Sequence, residues 1–310
     1  MDFEHIRVVV SQTRLEHLIE RFNTKAQAKF YIEHAGGDFE TYEEEHEVFH
    51  RSLGKVTQVA GRYGKMKVIE RKFLPNFLFS DKDVVVVVGQ DGLVANVAKY
   101  AGELPILAVN PDTVRNDGIL LPYTVQNFER GLIALSNNTA KISQVTMAEA
   151  KTNEGQHLLA FNDLFIGPSS HTSARYRISY HDHSENQSSS GLIVSTGAGS
   201  TGWLSSVFNM TYGVQKTFHS ASASGNFKMN WDDDTLAFVV REPFQSKHSQ
   251  TTVSGGFIAG VERLVIESHM PSNGIIFSDG VEADFLAFNA GTTVEIGLAK
   301  HKARLVRGIK

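Results

Sequence analysis

VVVVVGQDG, residues 84–92, is a run of five valines that ends in a glycine-flanked aspartate. Valine branches at Cβ and favours extended backbone. A strand apolar on both faces belongs inside a parallel sheet, with helices above and below it. From Leu93 to about Ala101 the spacing turns helical, and PILAVN (105–110) is strand-like again. Strand, tight turn, helix, strand is a right-handed βαβ unit. The first part of the chain is therefore expected to be α/β around a parallel sheet.

The pattern extends on both sides. IRVVVS (6–11) reads as a buried strand, and TKAQAKFYIEH (24–34) as a helix closed by Gly36-Gly37. Phe49 and Leu53 resume helical spacing, and YEEEHE (42–47) reads as a solvated helix face. VQNFERGLIALSN (125–137) is the next helix. Beyond it strand-like stretches dominate, from ISQVTMAEAK and HLLAFNDLFIG to RLVIES, GIIFSDG and TTVEIGL. Turn-rich segments such as NEG, DHSENQSSS, PSNG and SDG punctuate them, and only residues 200–212 look helical. Two domains are expected, an α/β one over 1–139 and a β-rich one over 140–310. The extreme C-terminus is a candidate to pack back on the first.

Composition narrows the function. The 310 residues carry a formal charge of −4 and no long basic run, which speaks against nucleic acid as a partner. There is no cysteine, so disulfides, zinc-thiolate sites and thiol nucleophiles are excluded. Residues 1–20 resemble neither a signal nor a transit peptide. The longest apolar run falls well short of the roughly 20 residues of a membrane span. A cytoplasmic protein without a membrane partner is the expectation.

Three motifs carry candidate chemistry. In Gly89-Gln90-Asp91-Gly92, a strand–turn–helix corner offers backbone N–H groups and the positive end of a helix, a natural seat for phosphate. Gly89 and Gly92 allow close approach of a ligand. The loop is not a P-loop, because Leu-Val stands where Lys-Ser/Thr is needed, and G-x-G-x-x-G is incomplete. Asp91 either caps the helix, or holds a metal, or takes a proton from an attacking hydroxyl. STGAGSTGW (195–203) is either a surface against which a flat ligand lies or an ordinary loop with a helix cap. In FNDLFIG (161–167), Asn162 and Asp163 interrupt an apolar strand pattern, either to meet ligand hydroxyls or to face water at an edge or bulge. HDHSE (181–185) reads as a solvated hairpin rather than a metal site, Asp279-Gly280 as a hairpin turn without chemistry, and Arg115, Arg241 and Lys247 as surface residues within reach of a phosphate.

In order, the three motifs resemble those of the NAD kinase family: GQDG its GGDG, Asn162-Asp163 its Asn-Glu pair, and TGAGSTGW its TPTGSTAY. AVNPDTVRNDGILLP (108–122), FNDLFIGPSSHTSARYRIS (161–179), SSGLIVSTGAGS (189–200) and VREPF (240–244) resemble its mitochondrial-type branch. The resemblance implies a Rossmann-like N-terminal domain and a β-sandwich-like C-terminal domain. It implies transfer of the γ-phosphoryl of ATP to the 2′-hydroxyl of the adenosine ribose of NAD. Asp91 would be the base or orienting group. Gly89, Gln90 and Gly92 would line the phosphates. Asn162 and Asp163 would hold the adenosine end, and Thr196, Ser200, Thr201 and Gly202 would contact nucleotide. Magnesium would accompany ATP, and the assembly would be a homodimer or homotetramer.

The departures are Gln90 for the second glycine, Asp163 for glutamate, Gly197 for proline, Trp203 for tyrosine and Ser190 for an aspartate on the nicotinamide side. A kinase acting on a lipid or sugar hydroxyl and a non-catalytic nucleotide-binding protein are the rival readings.

Overall fold

A computed structural model describes residues 3–219 and 227–308. The chain divides into two units, Met1–Ser143 with Arg304–Lys310, and Gln144–Ala303.

A seven-stranded sheet carries the first unit. Its strands are β1 (His5–Val10), β2 (Lys65–Glu70), β3 (Asp83–Val88), β4 (Pro105–Asn110), the short β5 (Tyr123–Thr124), β6 (Ile142–Val145) and the strand Ala303–Val306. The order runs β2-β1-β3-β4, then Ala303–Val306 and β6, with β5 beside β4. The β1–β2, β1–β3 and β3–β4 pairs are parallel. All five valines of β3 are fully buried, contributing roughly 1.5 kcal/mol or more each. One sheet face packs on α3 (Phe39–Ala60) and α5 (Phe128–Ser136), through Phe49, Val56, Phe128 and Leu132. On β3 and β4 lies α4 (Asp91–Ala101). Two further helices, α1 (Arg14–Phe22) and α2 (Lys25–His34), close a small apolar cluster with α3 around Leu15, Ala28 and Phe39.

β2 was not legible in the sequence. KMKVIE carries three charges on six residues and buries only Ile69, because it is an edge strand kept soluble by lysines.

This topology places a crevice. From β1 the sheet grows to β2 on one side, and from β3 to β4 on the other. The carboxyl ends of β1 and β3 therefore flank a switch point, where ligands bind in open α/β sheets.

The second unit is a sandwich. Its strands are β7 (Ala148–Thr152), β8 (His157–Ala160), β9 (Asp163–Pro168), β10 (Ala174–Tyr180), β11 (His183–Ser189), β12 (Leu192–Ser195), β13 (Thr235–Val240), β14 (Gly255–Ala259), β15 (Leu264–Ser268), β16 (Gly274–Ser278), β17 (Val281–Ala287) and β18 (Thr293–Leu298). One sheet has the order β11-β10-β15-β18-β7-β8, the other β14-β13-β12-β9-β16-β17. Leu164, Ile166, Leu192 and Val194 of the second sheet share one core with Tyr176, Ile178, Ile266 and Ile296 of the first. α6 (Trp203–His219) follows the 195–203 motif, separated from β12 by a short turn and a 3-10 segment over Gly199–Thr201.

Two local expectations change here. The sequence of DHSENQSSS predicts a turn, yet His183–Ser189 is a strand whose alternate residues Glu185, Gln187 and Ser189 are buried. The apolar pattern predicts Asn162 inside a strand, yet it lies in the break between β8 and β9. Among the described residues no helix is long and apolar enough to cross a membrane.

Candidate functional site

In the first unit the switch-point crevice is a cavity of about 570 Å³. Ser11, Gln12 and Thr13 line it from the end of β1, Gly89 and Gln90 from the end of β3, and Pro111 and Asp112 from the end of β4. Arg14, His17 and Arg115 line the wall together with Glu45 and Asp112, and both arginines are ion-paired, Arg14 to Glu45 and Arg115 to Asp112 and Glu44. Arg115 is exposed, as a surface arginine should be, and is braced by Asp112 at 2.8 Å and Glu44 at 2.7 Å.

Asp91 is the first residue of α4, and the N-cap is Gln90, which makes no side-chain cap bond. The capping reading of Asp91 therefore fails. Its Oδ1 instead accepts the backbone N–H of Leu120 at 2.7 Å, across 29 residues. Among the described residues Oδ2 has no hydrogen-bond partner. One bond fixes the carboxylate and one oxygen stays available. The amide of Gly89 donates to Val109 O at 3.4 Å and is not a free phosphate donor. A Cβ on Gly89 would lie 2.8 Å from the Leu93 side chain, whereas one on Gly92 would meet nothing within 4 Å. Gly89 thus serves helix packing, and Gly92 leaves open space at the helix start.

In the second unit three distant segments converge. Asp279 and Gly280 form the turn between β16 and β17 with φ of 54° and 68°, a left-handed pair typical of a tight hairpin. The Asp279 carboxylate accepts the backbone N–H groups of Phe161, Asn162 and Asp163 at 3.0, 2.6 and 3.2 Å. The 161–163 break in turn receives the 195–203 motif. Thr196 N–H donates to Asn162 O at 2.9 Å, and its hydroxyl donates to Phe161 O at 2.6 Å.

The glycines of that motif permit the approach. A Cβ on Gly199 would lie 2.3 Å from Asn162 O, and one on Gly197 only 1.8 Å from Asn230 O. A proline at 197, as in the resembled motif, does not fit this backbone. Ser200 is fully buried, donates to Gly197 O at 2.8 Å and accepts from Met229 N–H at 3.1 Å. The hydroxyls of Thr196 and Ser200 are therefore occupied in building the loop. Those of the candidates that stay open are the exposed Thr201 and Gly202, the Asn162 amide and the Asp163 carboxyl.

Asp163 Oδ1 is buried without a hydrogen-bond partner, a polar atom left for a ligand. Burial raises its pKa to about 7, the Ser195 hydroxyl opposes that, and the nearby Asp279 charge adds to it. At neutral pH this carboxyl can donate as well as accept.

Beside these groups lies a second cavity of about 670 Å³, lined by Phe165, Ser190, Trp203, Arg241 and Phe277 among others. Trp203 stacks on Phe165 with ring centroids 5.6 Å apart, and the Arg241 guanidinium lies 5.6 Å from the Trp203 ring. Lys247 and His248 are exposed. His181 faces Glu262 at 3.7 Å and His183 faces Glu185 at 2.9 Å, so HDHSE does not converge on one point. Sequence reasoning missed Asp279 as an organiser. The only signal was a DG turn, which normally needs no other explanation.

No family model matches the chain. Mitochondrial NAD kinase 2 of Rattus norvegicus is 23% identical, over 76% of this chain and 68% of that protein. An NAD kinase of Saccharolobus islandicus is 28% identical, over 47% of this chain and 56% of that protein. This chain thus spans about two thirds of the rat relative and just over half of the archaeal one. Two solved structures share the fold. An NAD kinase from Archaeoglobus fulgidus in complex with ATP has a TM-score of 0.56 and 14% identity, covering 98% of this chain and 94% of that one. A yeast NADH kinase complexed with NADH has a TM-score of 0.58 and 12% identity, covering 100% and 84%. In the order of its three motifs, in sequence and in fold, the chain is similar to NAD kinases.

Proposed function

We propose that the chain is an ATP-dependent NAD kinase that phosphorylates the 2′-hydroxyl of the adenosine ribose of NAD to give NADP. The observation that carries the proposal is Asp91. Its carboxylate stands at a helix start, held by the Leu120 N–H through one oxygen and open through the other. In the proposed step Asp91 Oδ2 takes the 2′-hydroxyl proton as the ribose oxygen bonds to the γ-phosphorus. The bond from that phosphorus to the β,γ-bridging oxygen breaks, and ADP leaves. The start of α4, open at Gly92, suits the phosphates. Asn162 and Asp163 offer the donors and acceptors that a ribose and an adenine edge require, and Thr201 offers an exposed hydroxyl. Thr196 and Ser200 act indirectly, by shaping the loop.

Magnesium enters as part of the ATP substrate. It is held mainly by phosphate oxygens and water, with one or two protein carboxylates at most. Assembly into a homodimer or homotetramer, in the cytoplasm, belongs to the same proposal. Exposed Phe244 and Phe257 and the general preference for closed symmetry support the assembly, and light scattering reads it.

The test is turnover. With Mg-ATP and NAD, wild-type protein should form NADP, detected by an NADP-specific dehydrogenase. Asp91→Asn should lower the rate roughly 10²–10⁴-fold while NAD still binds. If no NADP forms although NAD raises the melting temperature, the acceptor is another hydroxyl or the protein only binds nucleotide.

A further inference from the structure

Away from these motifs, Glu16, His46 and His50 each turn one ligand atom toward a common point. The three atoms all lie within 4.8 Å of one another. His46 and His50 are one helical turn apart on α3, which puts both imidazoles on one face. Their ring centroids are 4.3 Å apart. Glu16 comes from the first turn of α1, packed against α3.

The group is braced from outside. Thr13 caps α1, and its N–H donates to Glu16 Oε2 at 2.7 Å. Glu16 Oε1 is left to face His50 Nε2 at 2.9 Å. The Thr13 hydroxyl lies 2.9 Å from His46 Nδ1. Hydrogen-bonded outer partners of this kind orient metal-binding imidazoles and carboxylates.

We propose that Glu16, His46 and His50 form a site for a divalent transition metal such as zinc, with water completing the coordination. Two imidazoles and one carboxylate match the donor set that zinc accepts when a position stays open, and they disfavour magnesium, which takes oxygen ligands. Ligands at about 2.0–2.1 Å in a tetrahedron stand roughly 3.3 Å from each other. A contraction from within 4.8 Å is a side-chain adjustment on one helix face and one helix end. The bound ion would pin α1 to α3. The residues that lead into α1, Ser11 to Arg14, line the 570 Å³ cavity, so the clamp would hold one wall of it. The proposal does not depend on the kinase reading.

The experiment uses the untagged chain stripped with a chelator. Cobalt(II) is titrated in, and its visible ligand-field bands are recorded. Zinc is then added to displace it. Saturable bands at one ion per chain, lost in His46→Ala/His50→Ala and reversed by zinc, are the expected result. Glu16→Gln, which keeps side-chain shape and the capping geometry, should weaken binding without loss of folding. A His181→Ala/His183→Ala variant should bind as wild type does. Zinc should raise the melting temperature of wild-type protein and not that of the His46/His50 variant. Absence of bands in the folded wild type, or bands undiminished in the double variant, overturns the site.

Discussion

Gly197 and Gly92 both lie in candidate ligand loops, yet the chain uses their missing side chains for different ends. At Gly197 a Cβ would stand 1.8 Å from a backbone carbonyl, which cannot swing aside as a side chain can. Gly197→Ala should therefore destabilise the second unit by at least ~1–3 kcal/mol, seen as a lower melting temperature. At Gly92 a Cβ meets nothing, and alanine is the better helix former by about 1 kcal/mol. Gly92→Ala should leave stability unchanged or improved and raise the KM for ATP, because the methyl occupies the space at the helix start. An unchanged KM would mean that no phosphate comes close there. At this scale the sequence is uneven in what it discloses. Asp91 stands out because a carboxylate is chemically odd in a phosphate loop. Thr196, Ser200 and Thr201 look equivalent in STGAGSTGW. They differ only in whether a carbonyl 35 residues upstream or an amide 29 residues downstream has already claimed the hydroxyl.

Among the elements, those with one dominant cause were legible. β3 is a strand because five valines leave it little alternative, and α4 follows from apolar spacing after a glycine turn. β2 and β11 were not: charge masks β2, whose partner β1 is distant in sequence, and polar and serine content masks β11, although it is the second arm of a tight hairpin with β10. β11 is ordered by a buried polar ladder. Glu185 accepts from Val253 N–H at 3.0 Å and Gln187 Nε2 at 2.6 Å, and it faces His183 at 2.9 Å. Gln187 is fixed in turn by Tyr176 and the Val253 carbonyl. Burial alone would raise the pKa of Glu185. The hydrogen bonds outweigh it, the Val253 amide foremost, and bring it from 4.5 down to about 2. A depressed carboxylate stabilises the fold fully above its unfolded value and loses that contribution as pH falls toward the folded one. Glu185→Gln should thus cost about 1–3 kcal/mol at neutral pH. The gap in melting temperature from wild type should close as pH falls from above 4.5 toward 2. A gap that is independent of pH would show that side-chain shape, and not charge, orders the strand.

Across the whole molecule, each unit gathers its candidate chemistry where segments far apart in the chain converge, and this level is the hardest to read in a sequence. The switch-point crevice follows from strand order, which no local pattern encodes. In the sandwich, Asp279 reaches back more than 115 residues to hold three consecutive amides of the 161–163 break. Those residues in turn carry the loop around Thr196. The Asp279 carboxylate thus sets the shape of the backbone that presents Asn162 and Asp163, without being proposed to touch nucleotide itself. It also helps to raise the pKa of Asp163. Two consequences separate this positioning role from a plain structural one. Asp279→Asn keeps the side-chain shape and an accepting oxygen but removes the charge. It should fold, raise the KM for NAD at least several-fold and leave the KM for ATP nearly unchanged. It should also lower the pKa of Asp163, so any pH dependence of NAD binding near neutrality moves to lower pH. Asp279→Ala leaves amide donors unmatched, each costing about 1–3 kcal/mol where buried, and should lose stability as well. Equal changes in both KM values with an unmoved pH profile would reduce Asp279 to a hairpin turn. A selective loss of NAD affinity in the asparagine variant would make it the residue through which a distant hairpin sets the proposed nucleotide contacts.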